Sequence, residues 1–366
     1  MIRLENVTKR FGDLTAVNDL SLEVGKGEVC VLIGPSGCGK TTTLRMINRL
    51  IEPTSGRILV NGQDTSRMKP EGLRRSIGYA IQSVGLFPHM TVAANIAVVP
   101  ELVHWETHRI HHRVEELLQI VGLDPDEHGP KYPAELSGGQ AQRVGVARAL
   151  AADPPILLMD EPFGAVDPLN RMKLQGQFLR IHKELKKTVI LVTHDLDEAI
   201  RLADRIAIME SGKLVQYDTP ENILARPVSK FVHDFVGTDR ALKRLSRIGV
   251  KSFIKPAAAI KTGAPIEEAN RIIGRGRSAW LVDDGGSLTG WVDGAILRHG
   301  QSVDQAAVKA PSADIAVTES ATLKEALSRM LGLGFRSLPV VDDDGCLTGE
   351  LSLADIEAAT SDHERL

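Results

Sequence analysis

Aromatic residues are scarce in this chain, at 4% of its 366 positions, and cysteine occurs only three times, at Cys30, Cys38 and Cys346. An odd number of cysteines without CxxC spacing points to neither a disulfide framework nor a zinc site. Cys30 sits inside an apolar run and reads as strand core. An excess of one charge is also lacking: the formal net charge of −3 gives no global basic field, so no nucleic-acid partner is expected. No apolar run approaches the roughly 18 residues that cross a bilayer, and the opening MIRLENVTKR has no signal-peptide stretch, so a cytoplasmic chain is expected. What is present, 43% apolar and 25% charged residues, is the balance of a folded protein. At about 150 residues per domain, two or three domains are expected.

Continuous apolar runs recur at EVCVLIG, IGYAI, PILLMD, KTVILVT and RIAIME, which suits strands buried on both faces. Between them TTTLRMINRL, IHHRVEELLQIVGL, QAQRVGVARALAAD and LDEAIRLAD space their apolar residues three to four apart. Strand and helix therefore alternate, and residues 1–236 read as one α/β domain. The charged amphipathic stretch at 237–252 reads as a linker. Beyond it lies an internal repeat. SAWLVDDGGSLTGWVDGAI from Ser278 aligns without gaps with SLPVVDDDGCLTGELSLAD from Ser337, and a helical segment precedes each. Two units, 253–300 and 308–366, are expected to pack as one small regulatory domain.

The stretch Gly34, Pro35, Ser36, Gly37, Cys38, Gly39, Lys40, Thr41, with Thr42 following, fits GxxxxGK(S/T). It lies where a phosphate loop requires it, between the strand VCVLI and a helix. The glycines let successive N–H groups turn inward, and the helix N-terminus adds positive potential. Lys40 suits the β- and γ-phosphates of ATP, and the Thr41 hydroxyl suits Mg²⁺. A Gly-rich turn opening a helix is the alternative. At the mouth of PILLMDEP, Asp160 suits the metal and Glu161 the attacking water, although acids before proline are also ordinary turn chemistry. His194, after KTVILVT, is in place to hold Glu161 and the water in line, against a purely structural role. Gln82, after IGYAI, offers an amide that reaches metal or water from a loop.

LSGGQAQRVGVARALAADP adds a second anion-binding helix start, with Ser137 as cap and Gly138 and Gly139 exposing N–H groups ahead of Gln140. One nucleotide needs only one phosphate loop, so the second helix start suggests service to another subunit's ATP. With LSGGQ between GPSGCGKT and ILLMDEP, then GAVD and His194, residues 1–236 resemble the ABC ATPase family. That resemblance implies a P-loop NTPase fold of ABC type, a RecA-like core plus a helical subdomain, and two copies sandwiching two ATP molecules. Gly34–Thr41 of one copy would face Ser137–Gln140 of the other, and Asp167 would join the sites. Phe11 stands where the family stacks an aromatic on adenine; a strand-edge phenylalanine in the core is the other reading. Gln82 would report ATP to the permease. His104, His108, His111 and His112 read as a solvated helix face rather than a metal site.

The repeat resembles a tandem pair of CBS domains, a small second α/β domain. Gly349–Asp355 matches the family's nucleotide segment, with Ser352 and Asp355 as the implied contacts to a regulatory adenine nucleotide; the first unit departs from it at Asp293 and Ile296. A ligand-free dimerisation domain is the alternative. Together, the ATPase and the CBS pair resemble the ATPases of osmoprotectant importers for quaternary amines. Implied partners are a second copy, permease subunits and an extracytoplasmic binding protein, with the chain peripheral on the cytoplasmic face of the inner membrane. A soluble ABC ATPase, or an importer motor for another solute, is the rival.

Overall fold

In chain order, β1 (Ile2–Phe11), β2 (Leu14–Val24), β3 (Val29–Ile33), β4 (Ser55–Val60) and β5 (Gln63–Asp64) come first. β6 (Ile77–Ala80), β7 (Ile156–Asp160), β8 (Thr188–Val192), β9 (Arg205–Glu210) and β10 (Lys213–Asp218) follow. The computed structural model describes residues 1–81, 85–164, 166–273, 278–293 and 303–361. The chain divides into two units, Met1–Val236 and Gly237–Leu366.

The five apolar runs become β3, β6, β7, β8 and β9, the parallel part of a six-stranded sheet ordered β10-β9-β3-β8-β7-β6. Every residue of β3, β7 and β8 is buried, because both faces of such a sheet are covered. Alternate side chains feed two cores. Val31, Met159, Leu191 and Ile208 enter one, with Ile96, Leu117 and Val144 from the helices Val92–Leu102, Thr107–Ile120 and Gly138–Leu150. Leu32, Leu158, Ile190 and Ala207 enter the other, beneath Leu44 and Ile47 of the helix Lys40–Ile47. Cys30 lies in this second core with its thiol pushed up to about 12 by burial, an inert packing residue.

An antiparallel sheet, β2-β1-β4-β5, covers the second core. Its strands are missing from the apolar runs because each buries only alternate side chains, as Leu20, Leu22 and Val24 do in β2. No helix of the described residues is long and apolar enough to cross a membrane.

The second unit carries β11 (Ala259–Lys261), β12 (Ser278–Val282), β13 (Leu288–Asp293) and β14 (Ala307–Lys309) in one sheet, in that order. A second sheet holds β15 (Val317–Thr318), β16 (Ser337–Val341) and β17 (Leu347–Ser352). The repeat is visible in the register. Ser278 faces Asp293 and Leu281 faces Gly290, with a slip before the Val282–Leu288 pair. Ser337 faces Ser352 and Val340 faces Gly349, with the same slip before Val341–Leu347. The two hairpin turns bond reciprocally, Leu288 N–H to the Gly345 carbonyl at 3.1 Å and Leu347 N–H to that of Gly286 at 3.0 Å.

The segment expected as a linker, 237–252, is instead part of this unit. Leu245 and Val250 are buried beside Leu338 and Leu351, because the apolar stripe of the helix Arg240–Leu245 packs on the second repeat rather than facing water. Just beyond, Lys255 pairs with Glu350 through two backbone hydrogen bonds of 2.8 and 2.9 Å. The chain therefore lies on the second repeat before it builds the first. Leu245→Ala should destabilise the second unit by about 2–5 kcal/mol, seen in urea unfolding of the full chain as an earlier transition. An unmoved transition would return Leu245 to a linker.

Candidate functional site

Four segments far apart in sequence leave neighbouring parallel strands at their carboxyl ends. The loop Gly34–Gly39 follows β3, His194 follows β8 and Glu161 follows β7. β6 comes next in the sheet, and Gln82 follows it but lies outside the described residues. The crevice above these strand ends is where open α/β sheets bind ligands.

The phosphate loop is shaped by what cannot fit. A Cβ on Gly34 would come within 2.1 Å of the Met209 carbonyl oxygen, and one on Gly39 within 2.5 Å of that of Ala16. Both residues have positive φ, 153° and 99°, which glycine adopts without steric cost. Gly39 leads directly into the helix Lys40–Ile47, whose free N–H groups look into the loop. Lys40 is buried, its Nζ bonded to the carbonyls of Gly34 at 2.7 Å and Pro35 at 2.9 Å, so the ammonium sits within the loop. Cys38 is buried against it, Sγ 3.6 Å from Nζ.

The Thr41 hydroxyl donates to Asp160 Oδ1 at 3.0 Å, joining the phosphate loop to the end of β7. Burial pushes the Asp160 carboxyl up from its ordinary range, against the lowering effect of that hydroxyl. A hydroxyl and a carboxylate side by side are oxygen donors suited to a hard divalent cation. Glu161 follows with φ of 49°, a left-handed conformation that costs a non-glycine residue about 1–3 kcal/mol unless its surroundings fix it. They do: its N–H donates to the Val192 carbonyl at 2.9 Å, and its carbonyl accepts from the Gly164 N–H at 3.2 Å and from Gln142 Nε2 at 3.0 Å. His194 Nδ1 lies 3.2 Å from Glu161 Oε1.

Ser137 caps the helix Gly138–Leu150 through a reciprocal box, its Oγ accepting from the Gln140 N–H at 3.2 Å and Gln140 Oε1 accepting from the Ser137 N–H at 2.8 Å. Ser137 and Gly138 are exposed, and a Cβ on Gly138 would meet nothing within 4 Å. The Gln140 side chain is used in the box and against His128. Asp167 caps the helix Pro168–Leu185, accepting from the Asn170 N–H at 3.1 Å. Arg171 on that helix donates to the Val166 carbonyl at 3.0 Å and lies 3.6 Å from Asp195, beside His194. Neither Arg171 nor Gln142 is flagged by a local pattern, since each acts through a contact made only after folding.

Phe11 is half exposed at the end of β1, with Lys9 Nζ 4.9 Å from its ring centre, so it lies outside the core. His104, His108, His111 and His112 are exposed, and among the described residues no group of three or more His, Cys, Asp or Glu is placed to hold a metal ion. In the second unit Ser352 Oγ donates to Asp355 Oδ2 at 2.5 Å, and Lys255 Nζ bonds Asp355 Oδ1. Burial alone would raise the Asp355 carboxyl, but the Lys255 and Ser352 hydrogen bonds hold it below the usual carboxylate range. Ile296, the first repeat's departure from the motif, lies outside the described residues.

Behind His194 lies a buried acid. Glu198 is 5% exposed and accepts from the Thr193 hydroxyl, which itself accepts from the Asp195 N–H at 3.0 Å. Burial pushes the Glu198 carboxyl up from 4.5 to about 7. Because the folded state holds this proton more tightly than the unfolded chain, its stabilising effect is complete below about pH 4 and is lost as pH rises through about 7. Glu198→Gln should flatten the fall in melting temperature between those pH values. A slope equal to that of the parent chain would show that Glu198 does not titrate there.

The ABC transporter family profile matches residues 17–164 and the CBS domain profile residues 308–361. The osmoprotectant import ATP-binding protein OsmV of Salmonella typhimurium is 47% identical over 361 residues, covering 96% of this chain and 94% of its own. The choline transport ATP-binding protein OpuBA of Bacillus subtilis is 43% identical over 364 residues, covering 97% and 95%. Among solved structures, a dimeric post-hydrolysis ATP-binding cassette bound to ADP and Pi is 32% identical with a TM-score of 0.56, covering 60% of this chain and 99% of its own. This chain belongs to the ATP-binding proteins of ABC transporters, in a form that carries a C-terminal CBS domain.

Proposed function

We propose that this chain is the ATP-hydrolysing motor of an importer for quaternary amine osmoprotectants of the glycine betaine, choline and carnitine class. The observation that carries the catalytic part is the row of Lys40, Thr41 with Asp160, and Glu161 with His194 along adjoining strand ends. In this reading Lys40 and the loop N–H groups hold the β- and γ-phosphates, and Thr41 and Asp160 hold Mg²⁺, with Gln82 as a further ligand. Mg²⁺ would draw charge off the phosphate oxygens. Glu161 takes the proton of the attacking water, and His194 keeps its carboxylate aimed. Phe11 stacks on adenine.

The second helix start, exposed at Ser137 and Gly138, serves the ATP of a second copy, and Asp167 links the two sites. The solute class rests on the relatives, whose names specify osmoprotectant and choline transport. A permease and an extracytoplasmic binding protein would select the solute, with this chain on the cytoplasmic face of the inner membrane. A regulatory adenine nucleotide would bind at Ser352 and Asp355, the carboxylate accepting from ribose hydroxyls beside Lys255.

In the complex with its permease, Glu161→Gln should lower ATP turnover about 10²–10⁴-fold and stop uptake of labelled glycine betaine and choline, while ATP still binds. Lys40→Ala should instead weaken ATP binding itself, because it removes a phosphate counter-charge. Near-normal turnover in Glu161→Gln would remove Glu161 from the reaction, and active transport of neither amine by the parent complex would remove the solute class.

A further inference from the structure

Gln142 stands five residues beyond the Ser137 cap, on the helix Gly138–Leu150, and is only 6% exposed. Its Nε2 donates to the backbone carbonyl of Glu161 at 3.0 Å, while its Oε1 is buried without a hydrogen-bond partner. A buried acceptor left unpaired costs about 1–3 kcal/mol, so an apolar side chain of the same shape would be at least as stable here. Stability is therefore a poor reason for glutamine at this position. The bond it makes is to the one residue of the strand end that is held in a left-handed conformation.

The surroundings transmit displacement. Gln142 and Val146 line an apolar cavity of about 40 Å³ together with Met159 and Pro162, which flank Asp160 and Glu161 in the chain. Val144 and Ala147 of the same helix are fully buried in the core that holds Met159, so a displacement of the exposed helix end reaches Glu161 through a packed body and the amide bond.

We propose that Gln142 is a positioning residue that ties Glu161 to the helix whose exposed end takes the second copy's ATP. This rests on the reading of Glu161 as the base and of Ser137–Gly139 as half of the opposite site. ATP at one site then sets the aim of the base at the other. Because the carbonyl of Glu161, not its carboxylate, is held, loss of the bond leaves nucleotide contacts intact and misdirects the side chain.

The test uses the full-length chain and two variants of similar volume. Gln142→Met removes both amide atoms, and Gln142→Leu does the same with a branched side chain. Gln142→Met should melt at or above the parent temperature and keep KM for ATP within about twofold, while kcat falls about 10–100-fold, the scale of a small misplacement. The Hill coefficient for ATP should fall toward one. A purely structural role would lower the melting temperature and leave the cooperativity of the folded fraction alone. Should the Met variant not fold, the Leu variant is read for the same split. A kcat within about twofold of the parent with unchanged cooperativity, alongside an inactive Glu161→Gln, overturns the Gln142 coupling alone. A Glu161→Gln chain with normal kcat overturns the base assignment and this coupling with it.

Discussion

Backbone N–H groups can meet a triphosphate only if nothing stands between the chain and the phosphates. Gly34 and Gly39 meet that constraint, each at a place where a Cβ would strike a carbonyl oxygen of another strand segment. The close approach needs β3 in the middle of a rigid sheet, with the helix Lys40–Ile47 starting at its end. Once β3 is central, its parallel neighbour β8 and then β7 must end on the same side, and they deliver His194 and Glu161 there. The chemistry is thus arranged by strand order, and the side chains supply charge and proton affinity.

Carboxyl groups gather at this edge, in Asp160, Glu161 and Glu198, and the protein manages each differently. Asp160 is bonded to Thr41 and its carboxyl is pushed up by burial, so a cation arriving beside it would relieve an existing cost. Glu198 is sealed behind Thr193, where burial favours its protonated form. Glu161 has its backbone fixed from three directions and its carboxylate beside His194. A carboxylate whose backbone is fixed but whose side chain looks into the crevice suits a base that must wait for water and phosphate to align.

Much of this was legible in order along the chain. Phosphate loop, capped LSGGQ helix and strand-end acids are local patterns, and continuous apolar runs named the parallel strands because burial on both faces leaves no polar alternation. Three features were not legible. β1 and β2 bury alternate side chains only, so they lack a continuous run. The Arg240–Leu245 helix looks like a charged linker until the second repeat offers Leu338 and Leu351 to pack against. Gln142 and Arg171 act through backbone carbonyls, which leave no trace in residue identity. Phe11 was legible only as a position, and its exposure removes the core reading.

The second unit, with its paired turns and its Lys255–Asp355 ion pair, is a compact unit of its own. The central claim is that each chain holds half of each ATP site. Mixing purified Lys40→Ala chains with Ser137→Arg chains tests it most directly, because only a mixed pair assembles one whole site. The account predicts that each variant alone lacks ATPase activity and that an equal mixture gains measurable activity below a ceiling of about a quarter of the parent rate, half the pairs being mixed, each with one of two sites intact and with the base of that site tied to a helix end that meets no ATP. No recovery in a mixture shown to form mixed pairs, or full activity from either variant alone, would contradict it.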